Sequence, residues 1–151
     1  MVLFRERFII AGSKKERSSM ARIKDPRGIS SIEFDVGGHF EGTKKLVFTA
    51  TGEGADVIVK HYPIEENDVE KEFHITQKRW QNLIDKLIYQ LHVTEGEEDY
   101  FNPYILDGTQ WCLTIKKGRY KLFECHGSNE YPPYWDELVR VLSYYSETNL
   151  Y

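Results

Sequence analysis

Cysteine is scarce: Cys112 and Cys125 are the only two in 151 residues, too few for a disulfide framework. The fold must therefore be held by its own core, and a chain of this length can bury roughly 68–70% of its unfolded surface. The start, MVLFRERFII, carries charges inside its apolar stretch and has no A-x-A-like site behind it. The reading is that no secretory leader is present and that the setting is reducing and cytoplasmic. No apolar run approaches about 18 residues, so no membrane-spanning helix is expected.

Catalytic and cofactor signatures are missing as well. The histidines His39, His61, His74, His92 and His126 form no H-x-x-x-H or H-E-x-x-H, and the cysteines form no C-x-x-C. The reading is accordingly no metal and no cofactor. Gly37-Gly38 and Gly52-Glu53-Gly54 run from strand to strand, without the helix amino terminus that a dinucleotide or phosphate loop needs. There is no G-x-S-x-G elbow, and Ser128, although close to His126, lacks an assembled triad.

What is present begins with uneven charge. Residues 1–27 carry eight basic and three acidic side chains, a balance of +5; the other residues carry twelve and twenty-one, a balance of −9. Residues 1–28 read as a basic arm or linker, and a start at Met20 would leave a more economical domain, so residues 1–19 are expected to add little to it. The domain is expected over 29–151. Nucleic acid is a disfavoured partner, because only the arm offers the basic charge that phosphates attract.

From Ile29 the dominant period is two. ISSIEFDV, KLVFTA, DVIVKHY and VEKEFHI read as four short strands of an antiparallel meander. The period then becomes 3.6: Thr76 can cap a helix whose stripe is Trp80, Leu83, Ile84, Leu87, Ile88 and Leu91. Residues 93–108 read as one long connection, with acids Glu95, Glu97, Glu98 and Asp99 beside Tyr100, Phe101 and Tyr104. A hairpin follows, QWCLTIKK and RYKLFECH. With Lys117-Gly118 as its turn, Trp111, Leu113, Ile115, Tyr120 and Leu122 share one face, with Glu124 at its edge. That register puts Cys112, Phe123 and Cys125 on the other, more polar face. A last helix is expected from about Pro133 to Ser146, with Trp135, Leu138, Val139 and Leu142 inward. The expected class is α+β: a meander of about four strands, a helix, a hairpin and a C-terminal helix, with the helices on one face of a shared sheet.

The stretch from Asp107 to Leu138 resembles the carboxy-terminal module of a loose group of small bacterial α+β proteins. The shared pattern is Asp107-Gly108, Trp111, Leu113 and Ile115, then Gly127, Asn129, Tyr131-Pro132, Trp135 and Leu138. The group brings no established activity, so the resemblance implies a fold and transfers no catalytic residue. The leading expectation is a non-catalytic interaction module, of accessory or immunity type, that binds another protein. Its candidate binding residues are Tyr100, Phe101, Tyr104, Asn129, Tyr131, Tyr134 and Trp135, since tyrosine and tryptophan are enriched where partners dock. Two alternatives stand beside it. One is a small hydrolase using Glu124, its pKa raised by an apolar neighbour, with His126 or a loop carboxylate. The other is a nucleic-acid contact through the arm.

Overall fold

The computed structural model describes residues 28–38, 42–62, 69–104 and 108–150. Residues 1–27, where the basic arm is expected, lie outside the described residues. Strands β1 (Ser31–Gly38), β2 (Gly42–Thr51), β3 (Gly54–Tyr62) and β4 (Val69–Thr76) are successive antiparallel neighbours. Their alternation does what period two requires. Ile32 pairs with Phe48 and Phe34 with Leu46, while Leu46 meets Val59 and Phe48 meets Val57, and all six side chains are buried.

Helix α1 (Gln77–Asp85) starts directly after β4. Thr76 caps it, its Oγ1 accepting the Arg79 N–H at 3.2 Å. Its last turn widens to a π turn over Lys86–Gln90, where the Leu91 N–H donates to the Lys86 carbonyl at 2.9 Å, and His92, in the left-handed region at φ 54°, ends it. Widening does not break the stripe. Trp80, Leu83, Ile84, Leu87 and Ile88 are all buried, with Leu91 packed at the margin.

The connection expected over 93–108 carries structure of its own. A 3-10 turn at Val93–Glu95 leads to β5 (Asp99–Phe101), which pairs parallel with the end of β7 (Tyr120–Ser128). Strand β6 (Thr109–Lys117) lies between β7 and β1. Among the described residues the sheet therefore has seven strands in the order β4-β3-β2-β1-β6-β7-β5, mostly antiparallel. Three residues of β5 carry no period that a sequence can display. Only the β7 edge makes them a strand.

The hairpin register differs from the expected one. Lys117 pairs with Tyr120 across a Gly118-Arg119 turn, and a bulge after Ile115 brings Ile115 opposite Phe123, Leu113 opposite Cys125 and Trp111 opposite Gly127. Gly118 has φ 60°, the positive value that the first central residue of a type II′ turn requires. The bulge turns Phe123 and Cys125 inward, where both are buried. Tyr120 is exposed instead, and Glu124 faces the opposite side of the sheet from Trp111. Cys112 and Cys125 consequently lie on opposite faces and are both free thiols.

Helix α2 (Trp135–Ser146) begins two residues later than expected because Pro133 and Tyr134 form a turn before it, closed by the Trp135 N–H donating to the Pro132 carbonyl at 3.0 Å. Leu138, Leu142 and Tyr145 join α1 and the Ile32–Phe34 face of the sheet in one core cluster. The alternate strand positions, among them Glu33, Asp35, Lys45, Asp56, Cys112 and Glu124, form the polar side.

Candidate functional site

The site is built on one tryptophan. Trp111 reaches the core face opposite Gly127, and a Cβ at Gly127 would come within 2.2 Å of Trp111 Nε1. Only glycine lets the ring lie flat there. Trp111 Nε1–H then donates to the Glu130 carbonyl at 2.9 Å, tying the segment after β7 back onto β6. Around this bond the rings meet in sequence: Tyr100 on Trp111 at 5.8 Å, Trp111 on Trp135 at 5.0 Å, and Trp135 on Tyr131 at 4.9 Å. These are tilted aromatic contacts in the favourable distance range.

The chain leaves β7 through Asn129, in the left-handed region at φ 60°, whose N–H donates to the Thr109 carbonyl at 2.9 Å. Its amide lies hard against Gly108, where a Cβ would come within 1.8 Å of Asn129 Oδ1. Tyr134 turns inward, donating its hydroxyl to the Val93 carbonyl at 3.3 Å with Cys125 Sγ 4.0 Å away. Burial pushes the Tyr134 phenol well above its usual range and the Cys125 thiol up to about 12.

The seven aromatic and amide residues singled out in the sequence thus divide in two. Tyr100, Asn129, Tyr134 and Trp135 are packed into the corner. Phe101, Tyr104 and Tyr131 present 61%, 92% and 41% of their surface. Both segments come together because β5 runs alongside the end of β7: the Asn102 N–H donates to the Ser128 carbonyl at 3.0 Å. Between them lies a groove of about 550 Å³ lined by Glu97, Asp99, Phe101, Tyr104, Glu130 and Tyr131, among others. Its edges are fastened by the Glu97 N–H donating to Tyr100 Oη at 3.2 Å and the Tyr104 N–H donating to Asn102 Oδ1 at 3.0 Å. Glu97, Asp99, Asn102, Pro103 and Glu130 also line the groove without being among the binding residues nominated from the sequence.

Glu124 does not have the apolar environment that the hydrolase alternative needs. Lys121 Nζ donates to its carboxylate at 2.5 Å, and Cys112 Sγ and Thr114 Oγ1 donate at 3.2 and 3.4 Å. These donors, Lys121 foremost, hold its pKa below the ordinary carboxylate value, where an apolar neighbour would have raised it. It is a pinned anion and no proton donor near neutrality. His126 lies on the same face two residues on, with its Nε2 3.3 Å from Asp99 Oδ1, so the two groups engage different partners. Beside them Cys112 is pushed up to about 11 by burial, and the half-buried Asp35 carboxyl is raised, burial being the larger cause.

Two other features complete the survey. A cavity of about 520 Å³ opens between α2 and the sheet end, with Val36, Trp135, Val139 and Leu150 on its apolar side and Lys44 donating to the Asn149 carbonyl at 3.2 Å on its polar side. Among the described residues, no three or more histidines, cysteines or carboxylates could hold a metal ion together, and no helix is long and apolar enough to cross a membrane. No protein-family model matches the chain, and no curated protein matches it either.

Proposed function

We propose that this protein is an interaction module, of accessory or immunity type, which binds another protein through the Phe101–Tyr104–Tyr131 surface. One observation carries the reading: three large aromatic side chains are exposed around one groove. Phe101, Tyr104 and Tyr131 flank the groove; Tyr131 packs on Trp135 beside the Trp111–Glu130 bond, and the Phe101–Tyr104 segment is tied by β5 pairing with β7 and by the Tyr104 N–H donating to Asn102 Oδ1. Exposed aromatic side chains beside a groove are the kind of surface on which partners dock. The two free thiols, one buried and one half-buried, fit the reducing, cytoplasmic setting that the cysteine count suggests.

Affinity capture from native lysate tests this, with the wild-type protein compared against a Phe101→Ala, Tyr104→Ala double variant. The expected result is a set of proteins retained by the wild type and lost from the variant, with the two melting curves superimposable. An identical captured set would overturn the reading.

A further inference from the structure

We propose that the groove between Tyr104 and Tyr131 receives a cationic segment of the partner, an extended stretch carrying arginine or lysine. The inference rests on the protein-binding reading and adds the chemistry of the partner. Glu97, Asp99 and Glu130 line the groove, Asp99 with His126 Nε2 3.3 Å from its Oδ1, and no lysine or arginine is among its described lining residues. Exposed carboxylates gathered on one concavity repel each other and attract cations over a Debye length, so the groove carries an electrostatic preference that a neutral aromatic patch would lack. The rings supply the second half of the recognition. Phe101, Tyr104 and Tyr131 offer aromatic faces beside the acids, and a guanidinium or ammonium group held over such a face is attracted by its quadrupole. Arginine suits the combination best, because its planar fork can engage a carboxylate while its face stacks on a tyrosine.

Two other grooves among the described residues each include a lysine. The cavity beside α2 holds Lys44 among apolar residues, and the hollow beside Glu124 has Lys121 bonded to that carboxylate. Backbone hydrogen bonds hold one wall of the groove. Its floor strand is hydrogen-bonded to β7, and Tyr100 Oη holds the Glu97 backbone in place.

The test uses the full chain and fluorescence anisotropy with a short labelled peptide of alternating arginine and serine. The matching peptide of glutamate and serine is the control. Saturable binding of the arginine peptide alone is expected, weakening as salt rises. Glu97→Gln with Glu130→Gln, and separately Tyr104→Ala, should each weaken it about fivefold or more. Glu53→Gln with Glu72→Gln removes the same charge from exposed positions on the β2–β3 turn and β4, and should leave binding unchanged. Equal weakening by both glutamine pairs would overturn the proposal, since the net charge of the chain would then be the whole attraction. Failure of the arginine peptide to bind would overturn the cationic partner, while the lysate capture decides the protein-binding reading separately. A photo-crosslinking side chain at position 104 covers the remaining occupants. Linkage to the arginine peptide supports the proposal; linkage to residues 1–27 of the same chain, or to a second copy, overturns it.

Discussion

The two halves of the sheet were put together by different rules. In the β1–β4 half with α1, every strand pairs with its neighbour in sequence, and Phe48 stacks on Trp80 at 6.5 Å inside the core. In the β5–β7 half with α2, β6 crosses back to β1, β5 pairs parallel with β7, and a bulge shifts the hairpin. Its aromatic chain starts in the core at Trp111 and ends in solvent at Tyr131. Local pairing produced a closed aromatic core, and long-range pairing produced one that opens onto a groove. The difference lies in the corner where Trp111 meets Gly127 and Glu130: the aromatic chain built there reaches solvent at Tyr131, whereas the Phe48–Trp80 pair stays enclosed.

That contrast is sharpest at its two tryptophans. Trp80→Ala and Trp111→Ala should each cost about 3–5 kcal/mol in urea denaturation, because each removes a large buried ring. Only Trp111→Ala should also abolish binding at the groove under conditions where the variant remains folded. Binding retained by a folded Trp111→Ala protein would break the link between the stack and the groove. Gly127→Ala comes next, at about 1–3 kcal/mol, since its methyl would press on the indole of Trp111 and overpack the corner. A melting temperature equal to wild type would show that the ring can move away.

In the other half, Thr76→Ala should cost about 1 kcal/mol by leaving the Arg79 N–H without its cap, read from the denaturation midpoint. Groove binding should not change with it.

A smaller effect distinguishes two carboxylates on the polar side of the sheet. The folded-state pKa of Glu124 is depressed, so its charged form stabilises the fold above the ordinary glutamate value of 4.5, and this is lost as pH falls through the lower folded value. Asp35 has the opposite sign: its folded pKa is raised above 3.8, and the contribution of its protonated form is lost as pH rises through that folded value. At pH 7, Glu124→Gln should therefore be destabilised by less than about 1 kcal/mol, while Asp35→Asn should be neutral or stabilised. Denaturation at pH 7 and again well below pH 4 should show the Glu124→Gln deficit vanish in acid. A deficit that persisted there would mean that shape, and not charge, makes the site. The smallest stability effect belongs to Tyr104→Ala, within about 0.5 kcal/mol for a side chain 92% exposed, with its influence confined to binding.

Much of the first half was legible from residues alone, and the reason is physical. A strand that pairs with its sequence neighbour needs only alternation and a turn, and a helix lying on the core needs only a stripe and a cap. Ile32 and Phe34, Leu46 and Phe48, Val57 and Val59 therefore announced themselves, as did Thr76 and the line from Trp80 to Ile88. In the second half, the same pattern reading chose the wrong hairpin register. Trp111, Leu113 and Ile115 alternate equally well against Tyr120 and Leu122 or against Phe123 and Cys125. The choice rested on a one-residue bulge and on the space that Gly127 leaves for an indole, and neither has a periodic signature. The apolar setting that the hydrolase alternative gave Glu124 depended on that register, and its neighbours are instead Lys121, Cys112 and Thr114.

The candidate site shows the same division. The sequence could nominate Tyr100, Phe101, Tyr104, Asn129, Tyr131, Tyr134 and Trp135 because aromatics and turn formers cluster there. It could not say which of them pack and which face water, since exposure depends on the parallel pairing of β5 with β7, far apart along the chain. By itself the sequence determined the α+β class, the meander, the two amphipathic helices and the lack of a disulfide framework, all of them set by composition and local period. Tertiary structure alone decided the seventh strand, the hairpin face on which Glu124 lies, and the gathering of Glu97, Asp99 and Glu130 around exposed tyrosines. Those depend on which surfaces meet at long range, where packing volume and backbone hydrogen bonds choose among alternatives that one-dimensional patterns leave equal.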